Sequence, residues 1–236
     1  MDMLKYSNIY MTAMKRLKAW SGFASLESIM HDLPEMKVYL AGGALRDLIL
    51  GQKECKDFDF FLSVNCFDSA IDRLMHYGRI ENGPFGSPRW FPSGTEEKYC
   101  DLIAIERFYN GLWRCEDIID VLNQFDFTAN SVALSLHTGE FFDPVNGVRD
   151  IHRRVLRAVR FDYPDEPFMP GQGLSRLQVL WLRLVHYSVK LHLTIDPVTL
   201  RWLREHDDYA AGAYEFSKIF FPLHPGVLGT LNDSDL

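Results

Sequence analysis

The segment VYLAGGALRDLILG, Val38 to Gly51, followed by DFDFFLS, Asp57 to Ser63, constrains the fold more than any other part of the chain. Val38 to Ala41 reads as a short buried strand, Gly42 and Gly43 as a tight turn, and Ala44 to Leu50 as a helix that Gly51 stops. Asp57 to Leu62 is a second, aromatic-rich strand, and residues two apart in a strand project from the same face, so Asp57 and Asp59 present their carboxylates side by side. Ionised together they repel unless a cation lies between them. Hard oxygen ligands of this kind suit Mg2+, which takes one or two protein carboxylates plus phosphate oxygens and water. Two ions about 3.5 to 4 Å apart would activate an attacking hydroxyl and stabilise a leaving pyrophosphate. The glycines complement that chemistry. Without Cβ atoms the backbone approaches a triphosphate closely, the helix start at Ala44 offers free N–H groups, and Arg46 adds a charge-assisted contact. A third carboxylate from a neighbouring strand is expected to be Asp101 in EKYCDLIAIE, with Glu106 as the alternative and an ordinary strand-end aspartate as the competing reading.

The chain has 236 residues, is 47% hydrophobic and contains no apolar run long enough to span a bilayer, so a soluble protein of one to two compact units is expected. The amino terminus lacks an apolar run with a small-residue cleavage site, which points to the cytoplasm. Cys55, Cys66, Cys100 and Cys115 form no CxxC pair and give neither a disulfide framework nor a zinc signature. A net charge of -7 argues against a uniformly basic nucleic-acid-coating surface. A local basic patch remains in VRDIHRRVLRAVRF, Val148 to Phe161, where five arginines and a histidine are expected on about four helical turns. Solvated arginine stems over apolar surface explain that patch as well as RNA or phosphate contact does.

Along the chain, residues up to Leu33 carry a broken helical stripe closed by Pro34. Asp68 is the expected N-cap of a helix ending near Gly78, ENGPFGSPRWFPSG reads as a loop, and Lys98 to Ile105 as a strand. Asp117 to Leu122 reads as helix, and Ser131 to Leu136 with Glu140 to Phe142 as a strand pair. From Arg149 the pattern is helical, with a Pro- and Gly-rich break at Tyr163 to Gly173 and a long apolar helix from Leu174 to about Leu191. The scattered histidines show no metal-binding spacing and read as structural. Ser87 reads as a turn residue, and Trp181, Trp202, Phe220 and Phe221 as core. The only low-complexity stretch is the polar tail NDSDL.

Five blocks in order, LAGGALRDLILG, DFDFFLS, GPFGS, FDFTANSVAL and DPVNGVRDIHRRVLRAV, resemble the tRNA nucleotidyltransferase and bacterial poly(A) polymerase family of the polymerase-beta-like nucleotidyltransferase superfamily. The likeness runs from Val38 to Val159 and fades into the helices that follow. It implies an α+β fold, a small mixed nucleotidyltransferase sheet with flanking helices followed by a helical neck-like unit. The expected division is an amino-terminal helical extension at 1–36, a head domain at 37–147 and a neck-like domain at 148–236. The resemblance implies Asp57 and Asp59 as Mg2+ ligands and catalytic carboxylates, with Asp101 as the third. Gly42, Gly43, Arg46 and Asp47 would sit at the incoming nucleotide, Asp126 would contact its ribose, and Asn130 would hold it near the phosphates. The implied reaction transfers NMP from an NTP, ATP or CTP, to an RNA 3′ end such as that of tRNA, releasing pyrophosphate.

Three departures accompany the resemblance. The paired arginines of the family's Arg-Arg-Asp-Phe-Thr-x-Asn block are Gln124 and Phe125 here, so weaker triphosphate binding or replacement by Arg89 or the arginines near 153–160 is expected. The Glu-Asp-x-x-Arg template that reads the base is missing from GQGLSRLQVLWLRLVHYSVKL, leaving Arg176 and Arg183 to touch a base or merely to form surface salt bridges. No stretch after the neck corresponds to the body and tail that grip tRNA, so a partner or homo-oligomer would have to supply that grip. Two other functions therefore compete: a compact, toxin- or defence-like transferase acting on a protein or other acceptor, and an inactive nucleotide- or RNA-binding relic. The intact pair Asp57 and Asp59 counts against the relic, which has no need of two clustered negative charges facing a phosphate.

Overall fold

The computed structural model describes residues 3–52, 57–83, 85–94, 98–171 and 173–227, with side chains from Tyr6 onward; Cys55 and the tail NDSDL lie outside them. Helices α1 (Met3–Lys18) and α2 (Phe23–Asp32) precede strand β1 (Val38–Ala41), helix α3 (Gly43–Ile49), strand β2 (Phe58–Leu62) and helix α4 (Phe67–Leu74). Strands β3 (Gly78–Asn82), β4 (Pro88–Pro92) and β5 (Cys100–Ala104) follow, then helix α5 (Ile118–Leu122) and strands β6 (Ala133–Ser135) and β7 (Phe141–Phe142). These strands form one mixed sheet in the order β3-β4-β5-β2-β1-β6-β7. Within this sheet, among the described residues, only the β2–β5 pair is parallel; its register sets Asp59 opposite Asp101, and β1 sets Ala41 opposite Asp59 on the other side.

The strand period divides the sheet into two faces. Val38, Leu40, Phe58, Phe60, Leu62, Cys100 and Leu102 pack with Leu17, Trp20, Leu26 and Ile29 of the amino-terminal helices and their connection, and with Leu74 of α4. Fully buried Phe60 and Leu17 each contribute about 2–3 kcal/mol by leaving water. The alternate residues face the other way, where Ala41, Phe61 and Ala133 pack under Ile118, Val121 and Leu122 of α5. Asp59 and Asp101 belong to this second face, at its open end.

Three readings of the sequence are corrected here. The stretch ENGPFGSPRWFPSG is a β3–β4 hairpin rather than a loop, pairing Gly78 with Pro92 and Asn82 with Pro88. Its glycines and prolines mask a two-residue period in which Trp90 is fully buried, donating Nε1–H to the Leu74 carbonyl at 3.1 Å. The Arg149 to Phe161 helix ends early: α6 (Gly147–Arg153) stops at Arg154, which takes a left-handed φ of 56°, and β8 (Val155–Leu156) follows. Leu156 and Ala158 are buried between half-exposed neighbours, a strand period that five arginines concealed. Asp68 likewise sits inside the first turn of α4 and pairs with Arg107 instead of capping.

Helix α7 (Arg176–Leu191) begins at a capping box, with Ser175 accepting from the Gln178 N–H and the Gln178 side chain returning to the Ser175 N–H. Strand β9 (Thr194–Ile195) pairs with β8, and helices α8 (Pro197–Glu205) and α9 (Ala213–Ile219) complete the unit. Its core gathers Leu180, Trp181, Leu184 and Leu203 around Phe127 and Leu156, so the FDFTAN segment is packed into it. Cys66, Cys100 and Cys115 are free thiols. Among the described residues no helix is long and apolar enough to cross a membrane.

Candidate active site

A cleft of about 890 Å³ runs between the open face of the sheet and α7. Gly42, Gly43, Arg46, Asp47, Asp57, Asp59, Asp101, Asp126 and Asn130, all expected at the site from sequence, line it together. Gly42 has φ 73° and ψ −135°, a conformation open only to glycine, and a Cβ on it would stand 3.5 Å from Asp59 Oδ2. A Cβ there would only touch the carboxylate, so it is the backbone angles that require glycine at this turn.

Asp59 lies deepest. Burial, then repulsion from Asp57 and Asp101, raises its pKa from 3.8 to about 7, against the opposing pull of Arg183 and Arg46. Its carboxylate is short of positive charge. Asp57 accepts a hydrogen bond from the Tyr99 hydroxyl at 3.1 Å. Asp101 is differently placed: Arg89 donates Nε–H to Oδ1 at 2.8 Å and Nη2–H to Oδ2 at 3.1 Å. Among the described residues no three His, Cys, Asp or Glu side chains are arranged to hold a metal ion. Two carboxylates, one of them unable to ionise at ordinary cost, do fit a divalent cation as their missing counter-charge.

Arg46 does not extend towards a ligand. It is 5% exposed, its Nε and Nη2 donate to Asp47 Oδ1 at 2.8 and 2.7 Å, and its Nη1 donates to Asn130 Oδ1 at 2.5 Å. Asn130 Nδ2 donates in turn to Asp126 Oδ1 at 3.0 Å, and Arg183 Nε donates to Asp126 Oδ2 at 2.7 Å. This polar chain ties the glycine turn to α7 across the cleft.

The departures from the family block have structural reasons. Gln124 is fully buried, donating to the Trp113 carbonyl at 2.8 Å and to Cys115 Sγ at 3.2 Å, and accepting from the Asn110 N–H at 3.3 Å. Phe125 joins Phe61 and Phe108, at ring-centroid distances of 5.9 and 6.2 Å, as an apolar wall of the cleft. The expected replacements do not reach the cleft as open cations: Arg89 holds Asp101, Arg157 holds Asp150, and Arg160 holds Asp162.

The cations facing the cleft from the other side come from α7, where Arg176, Arg183, Tyr187 and Lys190 line it. Arg46, Arg183 and Lys190 lie 5.1, 5.3 and 5.5 Å from the Tyr187 ring centre. Tyr187 and Lys190 escaped the sequence analysis, although spacings of seven, four and three residues place all four side chains on one helical stripe. His186 is buried in the same wall, its Nδ1 accepting from the His224 N–H at 3.0 Å, and burial lowers its pKa to about 4. Phe220 and Phe221 pack against the core of the helical unit, as expected, and also line the cleft, with Phe220 on Phe85 and Phe168. Trp181 and Trp202 are buried as expected.

The α+β fold with its mixed seven-stranded sheet matches that of the CCA-adding enzyme head. The structure of a CCA-adding enzyme with ATP superposes with a TM-score of 0.64 at 21% identity, covering 88% of this chain and 49% of that one. A tRNA nucleotidyltransferase complexed with a primer tRNA and an incoming ATP analog gives a TM-score of 0.58 at 21% identity, over 81% of this chain and 51% of that one. Residues 96–157 match the poly A polymerase head domain family. The multifunctional CCA protein of Xanthomonas oryzae pv. oryzae is 33% identical over 181 residues, 72% of this chain and 40% of that protein. Poly(A) polymerase I of Salmonella typhi is 26% identical over 69% of this chain and 36% of its own length. The chain belongs to the tRNA nucleotidyltransferase and poly(A) polymerase family, and it spans about two fifths of the length of these curated relatives.

Proposed function

We propose that the chain transfers the nucleotidyl group of an NTP, ATP or CTP, to the 3′ hydroxyl of an RNA, with tRNA the leading acceptor and pyrophosphate the second product. The observation that carries this reading is the meeting of Asp57 and Asp59 with the Gly42–Gly43 turn, Asp126 and Asn130 in one cleft. The relatives named for CCA addition and poly(A) synthesis, and neighbours whose structures hold CTP, ATP or a primer tRNA, support the same chemistry. On this reading residues 37–147 are the catalytic head, 148–236 the neck-like unit and 1–36 an extension packed beneath the sheet.

Asp57 and Asp59 would hold a divalent cation, Mg2+ by the hardness of their oxygens. When bound, such a cation lowers the pKa of the attacking hydroxyl and offsets the charge gathering on the leaving pyrophosphate. The chain's own residues do the rest by position. The Gly42–Gly43 backbone admits the phosphates, Asp126 and Asn130 hold the ribose and phosphate end, and Arg46 keeps Asn130 in place. From α7, Lys190 and Arg183, the latter already holding Asp126, face the cleft in place of the cations absent at Gln124 and Phe125, while the Phe61, Phe108 and Phe125 wall excludes water behind the reacting atoms.

The test incubates the purified protein with Mg2+, each alpha-labelled NTP in turn, and total RNA with cell protein. Label in tRNA-sized RNA that disappears in Asp57→Ala/Asp59→Ala, with unchanged circular dichroism, is the expected result. Label in protein would replace the RNA acceptor with a protein one. No label with any NTP would overturn the enzymatic reading.

A further inference from the structure

The third aspartate of the cleft is held by a neighbour. Asp101 and Arg89 are cross-strand partners in the antiparallel β4–β5 pair, and both carboxylate oxygens accept from the guanidinium, at 2.8 and 3.1 Å. The pair is mostly shielded, with side-chain exposures of 24% for Arg89 and 20% for Asp101. Arg89 also lies 4.0 Å over the ring of Tyr99, whose hydroxyl donates to Asp57. Stacking and a two-point fork together fix the guanidinium, and an arginine cannot give up its charge. A cation bound at Asp57 and Asp59 would therefore meet, beside it, a carboxylate whose two oxygens are already paired with a fixed positive group.

We propose that Arg89 is a resident counter-cation that withholds Asp101 from the metal, so that the free protein offers a two-carboxylate site, Asp57 and Asp59, whose affinity Arg89 sets. Arg89 is thus a positioning residue: it acts on the site through Asp101 and, by way of Tyr99, through Asp57. This inference rests on the nucleotidyltransferase reading of the cleft, yet its test needs neither nucleotide nor turnover.

The experiment measures Mn2+ binding to the full chain by electron paramagnetic resonance and by calorimetry, without nucleotide. Arg89→Met, which removes the fixed charge and frees Asp101, should bind Mn2+ about tenfold tighter than wild type. Arg89→Lys, which keeps the charge, should stay near wild type. The double variant Arg89→Met/Asp101→Asn exchanges a neutral pair for a neutral pair and should return to within about threefold of wild type. The proposal is overturned if Arg89→Met binds no tighter, or if the double variant binds tenfold or more weakly, which would make Asp101 a ligand already. Should Arg89→Met not fold, the double variant decides alone, since it leaves no buried charge unpaired. If Asp57→Asn/Asp59→Asn binds Mn2+ as well as wild type, the metal site itself fails, a result distinct from any shift at Arg89.

Discussion

Replacing Asp59 by asparagine should stabilise the cation-free protein, and the size follows from its surroundings. Burial and the neighbouring Asp57 and Asp101 raise its pKa from 3.8 to about 7. Below about pH 4 the group is protonated in both folded and unfolded chains and contributes nothing. Between there and about pH 7 the unfolded chain ionises while the folded one keeps its proton, so stability falls as pH rises through the folded value. Three pH units at about 1.4 kcal/mol each set a ceiling near 4 kcal/mol, and because the side chain partly faces cleft water about 2–3 kcal/mol is expected. The amide keeps the shape and removes the charge, so Asp59→Asn should melt about 4–12 °C above wild type at pH 8 in EDTA. By pH 4.5 the gap should shrink below about 1 kcal/mol. Saturating Mg2+ should raise wild type alone, by about 2.7 kcal/mol at a hundredfold excess over Kd. Denaturation followed by circular dichroism reads all three. A variant no more stable than wild type at pH 8, or a gap independent of pH, would refute the account of Asp59.

Restoring the family's cation by Gln124→Arg should fail: the side chain is fully buried with three hydrogen bonds, so about 3 kcal/mol or more of stability is lost. A urea midpoint at or above wild type would show that the pocket can open. In Gly147→Ala the new Cβ would stand 2.0 Å from the Thr128 carbonyl oxygen, so the chain should lose at least about 3 kcal/mol or not fold, measured by thermal melt. Arg183→Met leaves Asp126, whose side chain is 12% exposed, without its 2.7 Å partner. It should cost about 2–3 kcal/mol and weaken NTP binding in calorimetry; unchanged NTP affinity would remove Arg183 from the phosphate contacts.

The strand, glycine turn, helix and second strand from Val38 to Leu62 were legible because each depends on local chemistry: apolar alternation, a glycine conformation and a helix stop. The β3–β4 hairpin was not, because Pro and Gly punctuate strands as readily as loops and the deciding contact, Trp90 under Leu74, is a tertiary one. The early end of α6 was missed for a related reason, since VLRAV fits both a helical and a two-residue period until Leu156 and Ala158 find their core.

By itself, then, the sequence determined which residues meet. Asp57, Asp59 and Asp101 could be named from strand pattern and spacing, Asp126 and Asn130 from the family resemblance, and the strand period alone aims two of them one way. What each does was decided only by the fold. Arg46 and Arg89 read as open cations, but across the sheet and the cleft they meet Asn130 and Asp101, partners 84 and 12 residues away. The cations that line the cleft opposite the sheet, Arg176, Arg183 and Lys190, come instead from α7, brought over by packing on Phe127. Apart from the adjacent Arg46–Asp47 pair, the group a guanidinium meets is a property of register and packing, which no local pattern encodes.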